Sequence, residues 1–283
     1  MADADDPRVT AARPDLAAAS LKGKVEAARF VAGEPRVVIE TTAPLRRAPR
    51  HDAPLDTEAL YGEPVTVFDI DGEGWAWGQL DSDGYVGYLP ANALVAPADA
   101  PTHRVSAPRT FLYAQPDIKT PPLGPLSFGS RVAVKREADG FAFTERGAIF
   151  AKHLAPLATR EPDIATTAQK FIGTPYLWGG RTSLGLDCSA LVQLSLAAAG
   201  IFCPRDSDMQ ERALGAPVSL EQARRGDLVF WKGHVGIIFD ADSLIHANAF
   251  HMAVAVEPLA NAIERIAALG TRVSSVRRIK TAV

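Results

Sequence analysis

The 283-residue chain has only two cysteines, Cys188 and Cys203. A disulfide framework is thereby excluded, because stability in so long a chain must come from its core. No two cysteines stand at metal-ligand spacing, so neither a metal nor any other cofactor is expected. Lysine-rich runs are missing and the formal net charge is -3, which gives no basic face for nucleic acid. No apolar stretch is long enough to cross a bilayer, so no membrane partner is expected. Met1 to Thr10 are acidic and lack a basic segment followed by an apolar one. No secretory signal is read there, and a reducing, cytoplasmic location is the expectation. What is present is ordinary: 47% hydrophobic and 22% charged residues, the texture of a soluble globular chain long enough for two or three domains.

Four segments follow along the chain. Residues 1–35 read as an N-terminal arm, with a helix expected over Asp15 to Phe30 because alanine is abundant and Leu16, Leu21, Val25 and Phe30 recur; Gly33 and Pro35 stop it. Residues 36–97 and 103–158 form a weak internal repeat. The first copy carries Gly62-Glu63-Pro64-Val65, Trp75-Ala76-Trp77 and Gly84-Tyr85-Val86-Gly87-Tyr88. The second carries Gly129-Ser130-Arg131-Val132, Phe141-Ala142-Phe143 and Gly147-Ala148-Ile149. Short alternating strands between Gly, Asp and Pro turns predict two small β-barrels. From residue 164 to 283 the texture changes. A helix from Ile164, a second from Asp187 to Gly200, three strand-like runs between Leu228 and Ala247, a helix near Leu259 to Leu269 and a last strand from Arg272 predict an α+β domain with an antiparallel sheet.

One constellation in the last segment carries chemistry. Asp187 is a good N-cap, which puts Cys188 in the first turn of an apolar, buried helix. There the helix dipole favours a thiolate, and neighbouring N–H groups can hold an oxyanion. Asp187 opposes the thiolate, so a histidine partner is required; the other use of such a cysteine is as a small core residue. His234 and His246 flank the turn Asp240-Ala241-Asp242. A hairpin symmetric about position 240 pairs them directly, together with Gly236 and Leu244, on one face. One imidazole could then act as base and the other orient it, although a one-residue slip would undo the pairing.

Read in order, Tyr176-Leu177-Trp178-Gly179-Gly180-Arg181-Thr182-Ser183, Leu186-Asp187-Cys188-Ser189, Pro204-Arg205-Asp206-Ser207, Gly226-Asp227-Leu228-Val229-Phe230-Trp231, Gly233-His234-Val235-Gly236-Ile237 and Leu244-Ile245-His246-Ala247 closely resemble the NlpC-type cell-wall peptidases. The Gly-Trp-x-Trp and Gly-Tyr-Val-Gly-Tyr segments resemble bacterial SH3-like domains. Together they resemble the branch that cleaves γ-D-glutamyl–diamino acid bonds. The resemblance implies a papain-like α+β catalytic domain after two SH3-like barrels. It also implies Cys188 as nucleophile, His234 as base and His246 as third polar residue, with Tyr176 at the oxyanion and Asp187, Ser189 and Ser207 lining the substrate subsite. In that branch the first barrel closes the cleft around the free amine of the substrate's L-alanine. Asp187, Glu63 and Tyr85 are the candidate ligands for that amine; for Glu63 and Tyr85 the competing reading is solvent-exposed barrel residues. The implied partner is a murein tripeptide, L-Ala-γ-D-Glu-diaminopimelate or its lysine counterpart, met in wall-peptide recycling. Two rival readings are an exported wall-remodelling peptidase and a non-catalytic wall-peptide binder. Where the family has Asp-Cys-Ser-Gly, this chain has Ala190, which strengthens the helix.

Overall fold

A computed structural model describes residues 6–279. It divides into two compact units, Met1–Leu157 and Ala158–Val283. In the first unit, the two halves of the repeat build similar but not identical successions of short strands, seven in the first half and eight in the second. The first half is one curled seven-stranded sheet, in the order Leu55–Leu60, Thr42–Arg46, Val86–Pro90, Trp75–Leu80, Pro64–Ile70, Glu34–Val38, Leu94–Val95. Alternation along these strands sends Ala43 and Leu45, Val65 and Val67, and Ala76 and Leu80 into one core. The second half splits into a five-stranded and a three-stranded sheet around Val105, Leu112, Leu126, Val132 and Ile149. A 3-10 turn precedes the last strand in each, Ala91–Ala93 and Ala151–His153. Where the halves meet, Gly62 has φ +76°, and a Cβ there would stand 2.0 Å from the Arg131 carbonyl oxygen. Only glycine fits that approach.

The helix expected over Asp15 to Phe30 does not form. Ala17–Ala18 instead pairs in parallel with Phe30–Val31, around a 3-10 turn at Ala19–Leu21. The reason is tertiary: Leu16 is fully buried, and with Ala11 and Ala18 it packs against Trp77. The Arg13 guanidinium lies 4.5 Å over the same indole and bonds Asp69. Burying an extended apolar segment on an existing sheet outweighs the few tenths of a kcal/mol per residue by which alanine favours helix.

The second unit contains helices α1 (Ile164–Gln169), α2 (Cys188–Ala198), α3 (Ser207–Ala213) and α4 (Leu259–Ala268). Its main sheet consists of β1 (Ala216–Val218), β2 (Leu228–Trp231), β3 (His234–Ile238), β4 (Ser243–Asn248), β5 (Ala253–Pro258) and β6 (Val273–Arg278), all antiparallel in the order β1-β6-β2-β3-β4-β5, and a separate two-stranded ribbon pairs Arg181–Thr182 with Gly185–Leu186. α4 covers one face of this sheet through Ala262, Ile263 and Ile266, which pack on Val229, Trp231 and Leu244. α2 is buried at ten of its eleven positions, as its nearly uniform apolarity requires. No helix among the described residues is long and apolar enough to cross a membrane.

Candidate active site

The N-terminus of α2 is built by Asp187. Its backbone is extended, φ -97° and ψ 177°, and its carboxylate accepts the Ala190 N–H at 2.8 Å. That cap places Cys188 at the first helical position, 6% exposed. The sulfur faces the backbone N–H groups of Val235 and Ser189, so β3 meets the helix end beside His234. Burial, then the Asp187 charge, pushes the thiol up to about 12, against the pull of those N–H groups and Arg205. Burial thus disfavours the thiolate, and attack by the sulfur requires a base to accept its proton.

The two histidines do not pair directly. Ile237 opposes Ile245 and Ile238 opposes Leu244, and Phe239 closes the turn on Ser243 at 2.9 Å. The hairpin therefore centres on position 241 instead of 240. Continuing that register sets His246 opposite Gly236, so His234 is its diagonal neighbour. A change of one residue in each strand keeps both imidazoles on the same face. Diagonal positions lie within reach of large side chains, and His234 Nε2 meets His246 Nδ1 at 2.8 Å, with ring centroids 5.0 Å apart. His234 also stacks, tilted, on Trp231 at 5.6 Å. Burial draws both imidazoles below the usual histidine range; for His234 the adjacent His246 adds to the effect, and for His246 Arg265 does. A neutral imidazole of this kind can accept a proton from a thiol.

Two residues at this site have roles that sequence reasoning does not assign. His246 Nε2 lies 2.8 Å from Glu257 Oε1 on β5. Arg205 is completely buried and grips both Asp187 oxygens, Nη1 to Oδ1 at 2.9 Å and Nη2 to Oδ2 at 2.7 Å, while also donating to Ser189 Oγ at 2.8 Å. The Ala253-Val254-Ala255-Val256-Glu257 alternation could have signalled the strand that carries Glu257; nothing in the spacing marks Arg205.

Tyr176 is half-buried, and its phenol is held above its ordinary range by burial first, then by the negative charge that Cys188 carries as a thiolate and by that of Asp187. It therefore stays an O–H donor close to the sulfur. Ser189 is 5% exposed and donates to Asp187 Oδ1 at 3.0 Å. Ser207 opens α3 and is half-buried; α3 is tied to α2 by Gln210, which donates to the Ser189 carbonyl at 2.9 Å. The Asp187 carboxylate, expected as an amine ligand, is already heavily hydrogen-bonded. Its oxygens already accept from Gly179, Ser189, Ala190 and both arms of Arg205. An ammonium bound there would share them with a guanidinium.

Glu63 and Tyr85 belong to the first unit. Both are buried, at 3% and 4% exposure, which overturns the alternative of solvent-exposed barrel residues. Glu63 Oε2 accepts the Leu60 N–H at 2.8 Å, and Tyr85 sits in the core with Leu80 and Leu89. Cys203 is a buried thiol whose Sγ donates to the Pro204 carbonyl at 3.4 Å. His246, His251 and Glu257 are the one set of three whose possible ligand atoms lie within 4.8 Å of one another among the described residues. Arg265 binds the same Glu257 carboxylate and puts a positive charge where a cation would have to sit, so the set reads as a hydrogen-bonded network.

Comparison with known proteins agrees with this geometry. Residues 173–272 match the NlpC/P60 family, and residues 45–94 match the bacterial dipeptidyl-peptidase SH3 domain. A gamma-D-glutamyl-L-lysine dipeptidyl-peptidase of Bacillus cereus is 28% identical over 237 residues, covering 72% of this chain and 71% of that protein. Dipeptidyl-peptidase 6 of Lysinibacillus sphaericus is 25% identical over 75% of this chain and 87% of that protein. The crystal structure of an NlpC/P60 family protein from Bacillus cereus superposes with a TM-score of 0.75 at 24% identity, over 87% of this chain and 99% of that one, a likeness of fold. With a cysteine at a helix N-terminus and a histidine pair on the adjoining hairpin, residues 173–272 form an NlpC/P60 domain of the cysteine-peptidase type, preceded by a bacterial dipeptidyl-peptidase SH3 domain over residues 45–94.

Proposed function

We propose that the protein hydrolyses the amide between γ-D-glutamate and the diamino acid of free murein peptides, L-Ala-γ-D-Glu-diaminopimelate or its lysine counterpart, in wall-peptide recycling within the cell. The observation that carries the chemistry is the 2.8 Å bond between His234 Nε2 and His246 Nδ1 beside the strand that meets Cys188. The substrate class is carried by the relatives' activity, gamma-D-glutamyl-L-lysine dipeptidyl-peptidase. A reducing compartment suits a reaction that needs Cys188 as a free thiol.

In this mechanism His234 takes the Cys188 proton as the sulfur attacks the γ-carbonyl carbon. The oxyanion is held by backbone N–H groups at the α2 N-terminus, with the Tyr176 phenol as a further donor. His234 then protonates the departing amine of the diamino acid, leaving a thioester on Cys188. Water, deprotonated by His234, attacks the thioester and releases L-Ala-D-Glu with a free γ-carboxylate. His246 orients His234 throughout. Asp187, Ser189 and Ser207 form the subsite wall, which Arg205 fixes in place before substrate arrives. The test sets free tripeptide against intact wall sacculi under the same conditions. Turnover of the free peptide with sacculi untouched is expected; efficient release of fragments from sacculi would overturn the recycling reading.

A further inference from the structure

Three neighbouring strands place three polar side chains on one face of the sheet. His246 opposes Ala255 across β4 and β5, and Leu244 opposes Glu257. Glu257 is therefore diagonal to His246, as His246 is diagonal to His234. The resulting row is His234 Nε2 to His246 Nδ1 at 2.8 Å, then His246 Nε2 to Glu257 Oε1 at 2.8 Å. It ends on Arg265 of α4, whose guanidinium bonds the same carboxylate. His246 is fully buried and Glu257 9% exposed, so water does not compete for these contacts.

We propose that Glu257, held by Arg265, is a positioning residue of the peptidase reaction: it locks His246 in the tautomer that leaves His234 Nδ1 free to take the Cys188 proton. This rests on Cys188, His234 and His246 being the reacting set. The chain of roles follows from donor counting. A carboxylate salt-bridged to arginine only accepts, so His246 Nε2 must carry the hydrogen. A neutral imidazole has one N–H, so His246 Nδ1 is left as an acceptor. His234 Nε2 must then donate to it, and His234 Nδ1 keeps its lone pair. In the opposite tautomer His246 would present an N–H to His234. The His234 hydrogen would move to Nδ1, and the base would have nothing with which to accept a proton. Arg265 has a second part: it balances the carboxylate, which would otherwise favour a doubly protonated His246 that donates on both sides. The relation is that of a histidine ligand to the outer group that fixes its tautomer.

The experiment uses the full chain labelled with nitrogen-15 in histidine, with long-range nitrogen–proton correlation spectra at neutral pH. Wild type is expected to show His246 protonated at Nε2 and bare at Nδ1. Glu257→Ala is expected to show mixed tautomers and a kcat on the tripeptide lower by about 10–100-fold, with KM unchanged. Glu257→Gln, whose amide oxygen can still accept, is expected to restore most of the rate and the single tautomer. A wild-type His246 protonated at Nδ1 overturns the proposal even if no Glu257 variant folds. So does a folded Glu257→Ala with the wild-type tautomer and kcat. A wild-type protein that leaves the tripeptide uncut while showing the Nε2-protonated His246 would count against the peptidase reading; the tautomers of the variants would still decide the role of Glu257.

Discussion

Replacing Arg205 by methionine should destabilise the catalytic unit more than any other single change at its polar groups. The Arg205 side chain is completely buried and makes two bonds to Asp187, one to Ser189 and one, at 3.3 Å, to the Gly180 carbonyl. Methionine fills much of the volume but leaves the Asp187 carboxylate, 10% exposed at its side chain, with no cation. It keeps only Gly179, Ser189 and Ala190 as donors. Breaking one side of a buried ion pair costs about 3–5 kcal/mol, most of it the penalty of the charge left behind. For a unit the size of Ala158–Val283, about 4 °C of melting temperature corresponds to each kcal/mol, so the transition should fall by roughly 12–20 °C. Arg205→Lys, which keeps the charge but not the two-pronged grip, should fall between that and wild type. Because the penalty lies in the stranded charge, Asp187→Asn added to Arg205→Met should recover part of the loss. Calorimetry of the four proteins measures all of this. A shift of only a few degrees in Arg205→Met, or strictly additive losses in the double variant, would refute the reasoning.

Cys188→Ala should abolish turnover with the melting temperature retained, whereas Cys203→Ala should keep its activity; equal activity losses at unchanged stability would move the nucleophile. Because burial holds His234 and His246 below the usual histidine range, the unfolded chain takes up protons below about pH 6.5 that the native chain refuses. Stability therefore falls as pH falls through that range, by at most about 1.4 kcal/mol per pH unit for each histidine. His246→Gln should flatten the slope by about one proton in denaturant titrations, and an unchanged slope would contradict it. N-acetylation of the tripeptide's L-alanine should lower kcat/KM by a factor corresponding to roughly 2–5 kcal/mol, the range for losing one charge-assisted contact in a desolvated site; equal cleavage of both peptides would mean a cleft open at that end.

Much of the site was legible because it is local. The cap at Asp187, the apolar helix behind it and Gly200 just past its end, at φ +78°, are short-range signals. The hairpin was legible too, but its register was not, since turn geometry and not sequence symmetry set the centre at position 241. The same-face placement of the histidines survived because the displacement preserved the period of two. Glu257 lay hidden because its meaning depends on a third strand and its register. Arg205 was hidden because a buried arginine shows itself only through its partner. In the arm, alanine content pointed to helix, while Leu16 and its neighbours were drawn flat against Trp77. Glu63 and Tyr85 were placed by motif, which says nothing about burial.

The most direct test of the account is mass spectrometry of L-Ala-γ-D-Glu-meso-diaminopimelate after incubation with reduced protein, in wild type and Cys188→Ala side by side. L-Ala-D-Glu and free diaminopimelate are expected from the wild type and intact tripeptide from the variant. Intact tripeptide with well-folded wild type, or equal cleavage by Cys188→Ala, would contradict it.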